Sequence, residues 1–292
     1  MIAYLVNLAT LTTIFAVLAT SLNILIGYGG IFSIAQAVFF GVGAYAAAQV
    51  ALHVTPDLLV ASAAGAGAAA LLSICLALPA LRVRDEYFVI ASLGLQMLAV
   101  TVFTEATPIT GGFGGLVGIP PASLLGLPLT DPNAMLAACL GFLVLVLVLT
   151  RVLMRGSFGR SLMAIRDNDT AAEALGKNVM VLKTLAVMLG CAYAGIGGAL
   201  YSAQMQFINV ESFTLDQSVL IMAMVIIGGT GTLIGPLVGT VLILLLPAAL
   251  SFIPGIPPTE IGVVQQMIYG LVMTLLMIFR PGGLVTLRTR RQ

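Results

Sequence analysis

A lone histidine, three scattered cysteines and eleven carboxylates are the side chains here that could serve as acid, base, nucleophile or metal ligand. Their placement argues against all four roles. His53 stands alone at the end of an apolar run, whereas an active site needs convergent His, Asp, Glu, Ser or Cys. Cys75, Cys139 and Cys191 each sit inside an apolar run. An odd count without close spacing speaks against a disulfide framework or a metal site and leaves small packing residues. No Gly-x-x-x-x-Gly-Lys-Ser/Thr phosphate loop occurs; the run 228–235 is glycine-rich but has no Lys to reach a phosphate. The chain is therefore read as a non-enzyme that binds no cofactor or metal of its own.

The elements that carry these residues are apolar. The composition is 60% hydrophobic and 8% charged, against roughly 25% charged in an ordinary soluble domain. So few charges cannot cover a water-exposed surface, and lipid is the alternative solvent. The net charge of +1, without a basic tract, offers nothing to nucleic acid. Apolar runs read against their breakers give nine candidate spans: 2–26, 31–52, 58–81, 87–104, 134–154, 184–205, 212–228, 233–252 and 262–280. No Lys or Arg precedes Arg82, so residues 2–26 read as a retained span rather than a cleaved leader. The run 212–252 reads either as two spans or as one with a re-entrant break at Gly228-Gly229-Thr230-Gly231-Thr232, giving eight to ten segments in an all-α bundle that forms a single domain, 1–292.

All twelve Lys and Arg fall in three places: Arg82 and Arg84; Arg151, Arg155, Arg160, Arg166, Lys177 and Lys183; and Arg280, Arg288, Arg290 and Arg291. The connectors at 53–57, 105–133, 206–217 and 253–261 have none. Basic connectors stay in the cytoplasm. Threading nine spans through that rule puts every basic region on one side, with the N-terminus outside and the C-terminus inside. Asp57, Glu105, Asp131, Glu211, Asp216 and Glu260 fall in the other connectors or at span ends. Carriers driven by protons or sodium keep an ionisable group in the membrane. No span centre here has one, so uphill transport would draw its energy from another subunit.

The long basic connector, 151–183, is the most informative stretch. Phe158, Leu162 and Ile165 recur at helical spacing, with Arg160 and Arg166 turned away from that stripe. Thr170 followed by Glu173 is a capping-box pattern, and Gly176 suits the position just past a helix C-terminus. The spacing predicts a one-turn helix over 171–175. So short a helix cannot repay its nucleation cost alone and needs a partner surface.

Ala171-Ala172-x-x-x-Gly176 resembles the core of the cytoplasmic loop by which ABC importer permeases dock into their ATPase; the family commonly has Glu where this chain has Thr170. Other motifs resemble one branch, the LIV-type permeases of branched-chain amino-acid importers, M-type half. They are Gly27-Tyr28-Gly29-Gly30-Ile31-Phe32-Ser33, Phe39 to Tyr45, Glu86 to Ile90 with Ser92-Leu93-Gly94, Thr110-Gly111-Gly112, Gly228 to Pro236, and Phe279-Arg280-Pro281-Gly282-Gly283-Leu284. The resemblance runs nearly end to end. It implies an inner-membrane permease working with a second permease subunit (homologous or a copy), two ATPases that use ATP and an extracytoplasmic solute-binding protein. The coupling set would be Arg166, Asp169, Thr170, Ala171, Ala172, Glu173 and Gly176, and an Ala172→Arg change is expected to put a bulky charge on the docking helix. Ser33, Gln36, Ser92 and Gln96 either bond neighbouring helices or line the path. Glu105, Gly111, Gly112 and Asp131 mark the loop offered to the binding protein. Branched-chain or other hydrophobic amino acids are the expected solutes, with urea or small carboxylates as alternatives. A channel or secondary transporter working without ATP is the competing class.

Overall fold

The computed structural model describes residues 2–80, 85–124, 126–250 and, beyond them, 267, 268, 270, 271, 274, 275 and 283–285. Most of the expected ninth span, 262–280, lies outside the described residues, as do Arg82, Arg84 and all four C-terminal arginines.

The chain runs through α1 (Ile2–Asn23), a π turn (Ile24–Tyr28), α2 (Gln36–His53), α3 (Leu58–Ala80) and α4 (Asp85–Glu105). A compact excursion follows: α5 (Thr107–Thr110), a 3-10 turn (Gly112–Gly114), and strands β1 (Leu116–Val117), β2 (Ser123–Leu124) and β3 (Leu127–Pro128). Then come α6 (Pro132–Arg155), α7 (Ser157–Asp167), α8 (Asp169–Ala174) and α9 (Val179–Met205). Strand β4 (Phe207–Ile208), a 3-10 turn (Val210–Phe213), α10 (Leu215–Gly228) and α11 (Gly235–Leu250) follow. The fold is mostly helical, with two two-residue antiparallel ladders, β1–β4 and β2–β3, that the all-α reading did not contain.

Helices 3–28, 87–105, 132–155 and 179–205 are long and apolar enough to cross a membrane, and several shorter helices are equally apolar. Hydroxyls within α1 bond back to their own helix, as from Thr20 to the Ala16 carbonyl at 2.7 Å, which satisfies them without water. Glycine lets α2, α3 and α9 touch backbone to backbone. A Cβ on Gly65 would stand 2.8 Å from the Gly43 carbonyl oxygen and 2.9 Å from that of Gly195. The small-residue runs thus serve close packing, as helix association in lipid requires. The solvent side of α4 and α6 is apolar: Ile90, Met97, Leu98, Val144, Val148 and Val152 are all exposed. A soluble protein would carry charge there.

Contacts sort the connectors into two ends. At one, Ser123 N–H donates to the Pro56 carbonyl at 2.9 Å, Leu116 pairs with Ile208, and Gln49 reaches the Ile109 carbonyl. Phe213 is wedged there among Phe40, Tyr45, Phe103 and Tyr201, with ring centroids 5.0–6.3 Å away. At the other end lie α7, α8, the turn after α1 and the α10–α11 turn. Arg155, Arg160, Arg166 and Lys177 all belong to this second, basic end. Helix α10 has 14 residues, about 21 Å at 1.5 Å per residue, against about 30 Å for a bilayer core.

Candidate functional site

At the basic end, α6 stops at Arg155 and α7 leaves at once from Gly156, with Leu162 and Ile165 buried. The expected apolar stripe therefore holds. The helix after it begins earlier than expected. Its cap is Asn168, whose Oδ1 accepts the Ala171 N–H at 3.0 Å and the Thr170 hydroxyl at 2.7 Å. The Thr170–Glu173 capping box does not form, because Asn168 offers a competing acceptor at the same spacing and Thr170 is spent on it. The C-terminal end is as expected. Gly176 has a φ of +77°, its N–H donates to the Glu173 carbonyl at 2.9 Å, and Lys177 N–H donates to the Ala172 carbonyl at 3.1 Å. That pair of bonds is a left-handed helix cap.

The helix has an inner and an outer face. Ala172 is 2% exposed and packs on Ile165 and Val179. Thr170, Ala171, Glu173 and Ala174 are exposed, and Leu175, just past the last turn, is 79% exposed. Ala172 is thus an anchor to the protein's own fold and not part of an outward docking face. A second anchor is ionic: Lys183 Nζ lies 2.6 Å from Asp169 Oδ2, with the lysine side chain 9% and the aspartate 41% exposed. Losing one partner of a fully buried pair costs about 3–5 kcal/mol, and the exposure of Asp169 reduces this to about 1–3 kcal/mol. Asp169→Ala and Lys183→Met are each expected to lower the thermal midpoint in detergent, since each breaks this pair. Equal midpoints for the parent and both variants would remove the pair from the account.

Arg166 does turn off the apolar stripe; its side chain is 40% exposed and its Nη2 lies 3.5 Å from Asp167 Oδ1. Its guanidinium donates to the Gly27 carbonyl in the π turn that ends α1.

The four polar residues expected near the path meet at one buried junction. Ser92 Oγ accepts the Ile34 N–H at 3.0 Å. One turn further along α4, Gln96 donates to the Phe213 carbonyl at 2.9 Å and accepts from the Ser218 hydroxyl at 3.1 Å. Ser218 also takes the Ala37 N–H at 2.8 Å. Gln36 donates to Ser21, and Ser33 accepts the Ala35 N–H. Together these bonds hold the start of α2 and the non-helical residues before it; the sequence assigned 31–35 to a span, and of these Ile31, Ser33 and Ala35 are buried while Phe32 is 52% exposed. Gln36 Oε1 has no hydrogen-bond partner among the described residues.

At the opposite end, Glu105 and Asp131 are exposed, and the Thr110 hydroxyl shapes the glycine turn by donating to the Phe103 carbonyl and accepting the Gly112 N–H. That turn lifts Phe113 to 86% exposure. Sequence reasoning missed Phe113, Ser21, Ser218 and above all Asn23, fully buried in α1 and bonded to Gly231 and Thr232. An amide inside an apolar run was the available signal.

A family model described as the permease component of branched-chain amino acid transport systems matches residues 4–280. The chain is similar to the high-affinity branched-chain amino acid transport system permease protein LivM of Escherichia coli (strain K12). Identity is 28%, covering 98% of this chain and 71% of the relative. A probable branched-chain amino acid transport permease protein LivM of Methanocaldococcus jannaschii is 26% identical over 71% of this chain and 62% of its own length. The autoinducer 2 import system permease protein LsrC of Klebsiella pneumoniae subsp. pneumoniae is 35% identical over 38% of this chain and 34% of its own length. No solved structure matches the chain.

Proposed function

The chain belongs to the family of branched-chain amino acid transport system permease components, and we propose that it forms, with a second permease subunit, the translocation path of an ABC importer. Two ATPase subunits dock on its basic end and hydrolyse the ATP. An extracytoplasmic solute-binding protein delivers the solute at the other end, over Glu105, Gly111, Gly112 and Asp131. The positive-inside rule sets the basic end in the cytoplasm of a bacterial inner membrane, with the N-terminus outside and the C-terminus inside. The observation that carries this reading is α8, a helix of one and a half turns capped at both ends. Ala172 and Asp169 tie it to the permease, while Ala171 and Leu175 face outward. A helix this short gains nothing by exposing apolar side chains unless another surface covers them.

The buried junction of Ser33, Gln36, Ser92 and Gln96 borders the proposed path. Irregular backbone within a membrane survives only where protein buries it or water lines it, and Gln36 Oε1, without a hydrogen-bond partner among the described residues, is a polar atom there for a passing solute or water.

The test is reconstitution of the chain with its neighbouring permease, ATPase and binding protein in vesicles, following ATP hydrolysis and radiolabelled leucine uptake together. Hydrolysis stimulated by loaded binding protein, with uptake that stops without ATP, supports the importer. Competition by urea or small carboxylates then sorts the solutes. Solute flux through the purified chain alone, without ATP, would establish the secondary-transporter reading instead.

A further inference from the structure

Two glycine-rich elbows, far apart in sequence, are fastened to each other and to the loop that carries α8. Asn23 does the first part. Its Nδ2 donates to the Thr232 carbonyl at 2.8 Å, and its Oδ1 accepts the Gly231 N–H at 2.9 Å. One amide thus occupies a donor and an acceptor of the α10–α11 turn at once. The backbones are in contact, since a Cβ on Gly27 would overlap Gly231 N and stand 2.9 Å from its Cα. Arg166 does the second part. Its guanidinium donates to the Gly27 carbonyl, and Nη1 lies 3.3 Å from where a Gly231 Cβ would be. The arginine stem crosses Gly30, where a Cβ would stand 2.7 Å from Cγ, and where φ is +68°. The segment 283–285 joins the same junction: Leu284 and Val285 N–H groups donate to the Ile227 and Gly228 carbonyls at 3.0 Å.

We propose that Arg166 is the positioning residue that passes movement of α8 to this junction, and that the joined elbows close the inner end of the path. The proposal rests on the reading of α8 as the ATPase-docking helix. Only Asp167 and Asn168 separate Arg166 from α8, and Asn168 is the α8 cap itself. A pull on α8 therefore acts on the last turn of α7 without slack. The carbonyl it meets is at the C-terminal end of α1, where helix dipoles leave negative charge, so a cation there makes a charge-assisted bond. A rigid fork suits that task better than an ammonium on a flexible stem. Because Asn23 ties Gly27's elbow to the Gly231 elbow, both must move when Arg166 does.

The experiment uses the reconstituted complex, comparing parent, Arg166→Ala and Arg166→Lys for leucine taken up per ATP hydrolysed. Each also carries Thr230→Cys in the α10–α11 turn, probed with a water-soluble maleimide with and without ATP. The expected result is a fall in uptake per ATP of at least tenfold for Ala and a smaller fall for Lys, with maleimide labelling that follows ATP in the parent and not in Ala. Ratios within twofold of the parent, or labelling that still follows ATP in Arg166→Ala, overturn the proposal. If Arg166→Ala fails to assemble, Arg166→Gln, which also removes the charge, takes its place on the same criterion. A parent complex whose uptake ignores ATP is a different failure, that of the importer reading itself.

Discussion

Gly195→Val is expected to abolish assembly of the helix bundle, while Gly67→Ala, at an exposed glycine of α3, is expected to leave it intact. A Cβ at Gly195 overlaps the Gly65 carbonyl and stands 2.9 Å from the Ala69 Cβ; one at Gly43 would meet the Gly195 backbone, 2.6 Å from its carbonyl oxygen. These neighbours are mostly backbone, so they cannot rotate aside. Three helix axes must separate instead, and every contact along α2, α3 and α9 loosens together. Ordinary overpacking of a core costs about 1–3 kcal/mol; here the cost falls on three interfaces at once, in a solvent where apolar side chains gain nothing by staying together. Gly67 lies on α3 with no atom within 4 Å of its Cβ position. Alanine there removes the entropy penalty of a helical glycine, about 0.5–1 kcal/mol. The measurement is the yield and monodispersity of each variant in detergent. A valine variant that elutes as a single sharp peak at parental yield would show that the bundle tolerates separation of these helices.

How far the sequence carried can be judged at particular residues. Helices lie where apolar runs were bounded by Gly, Pro and Asp, because a run's length and its breakers are local properties. The start of α2 was not local. Ile31 and Phe32 look like the first residues of a span, yet the helix begins at Gln36, since Ser92 and Ser218 hydroxyls hold the Ile34 and Ala37 N–H groups. At α8 the local signal was ambiguous: Asp167, Asn168, Asp169 and Thr170 are all residues that cap helices, and the choice among them depends on geometry that a string of letters does not contain. Gly176 was legible because the left-handed position after a helix favours one residue type strongly. The elbow junction was illegible for the simplest reason. Arg166 bonds across 139 residues and Asn23 across 209, and nothing near either residue announces its partner.

Leu175→Arg and Ala171→Arg are expected to cost the permease its ATPase, whereas Ala172→Arg would damage the permease itself, a distinction invisible until the faces of α8 are assigned. Ala172 is packed against Ile165 and Val179. An arginine there must either bury its charge or pry α8 off α7 and α9, so loss of activity in that variant would say nothing about docking. Leu175 and Ala171 are exposed and no hydrogen bond to their side chains holds the helix, so arginine at either position leaves the Asn168 cap, the Gly176 cap and the Asp169–Lys183 pair in place. If Leu175 fills a pocket on the ATPase, replacing it by a charge removes an interface anchor, typically at least 2 kcal/mol, or about 30-fold in affinity. The expected result is therefore a pair of observations: ATPase recovered with the tagged permease falls at least tenfold for Leu175→Arg, and the thermal midpoint of the permease stays where it was. Ala172→Arg should lower both. Should Leu175→Arg and Ala171→Arg both retain the ATPase at parental levels, α8 is not the docking element, and the exposed apolar side chains at the basic end face some other partner.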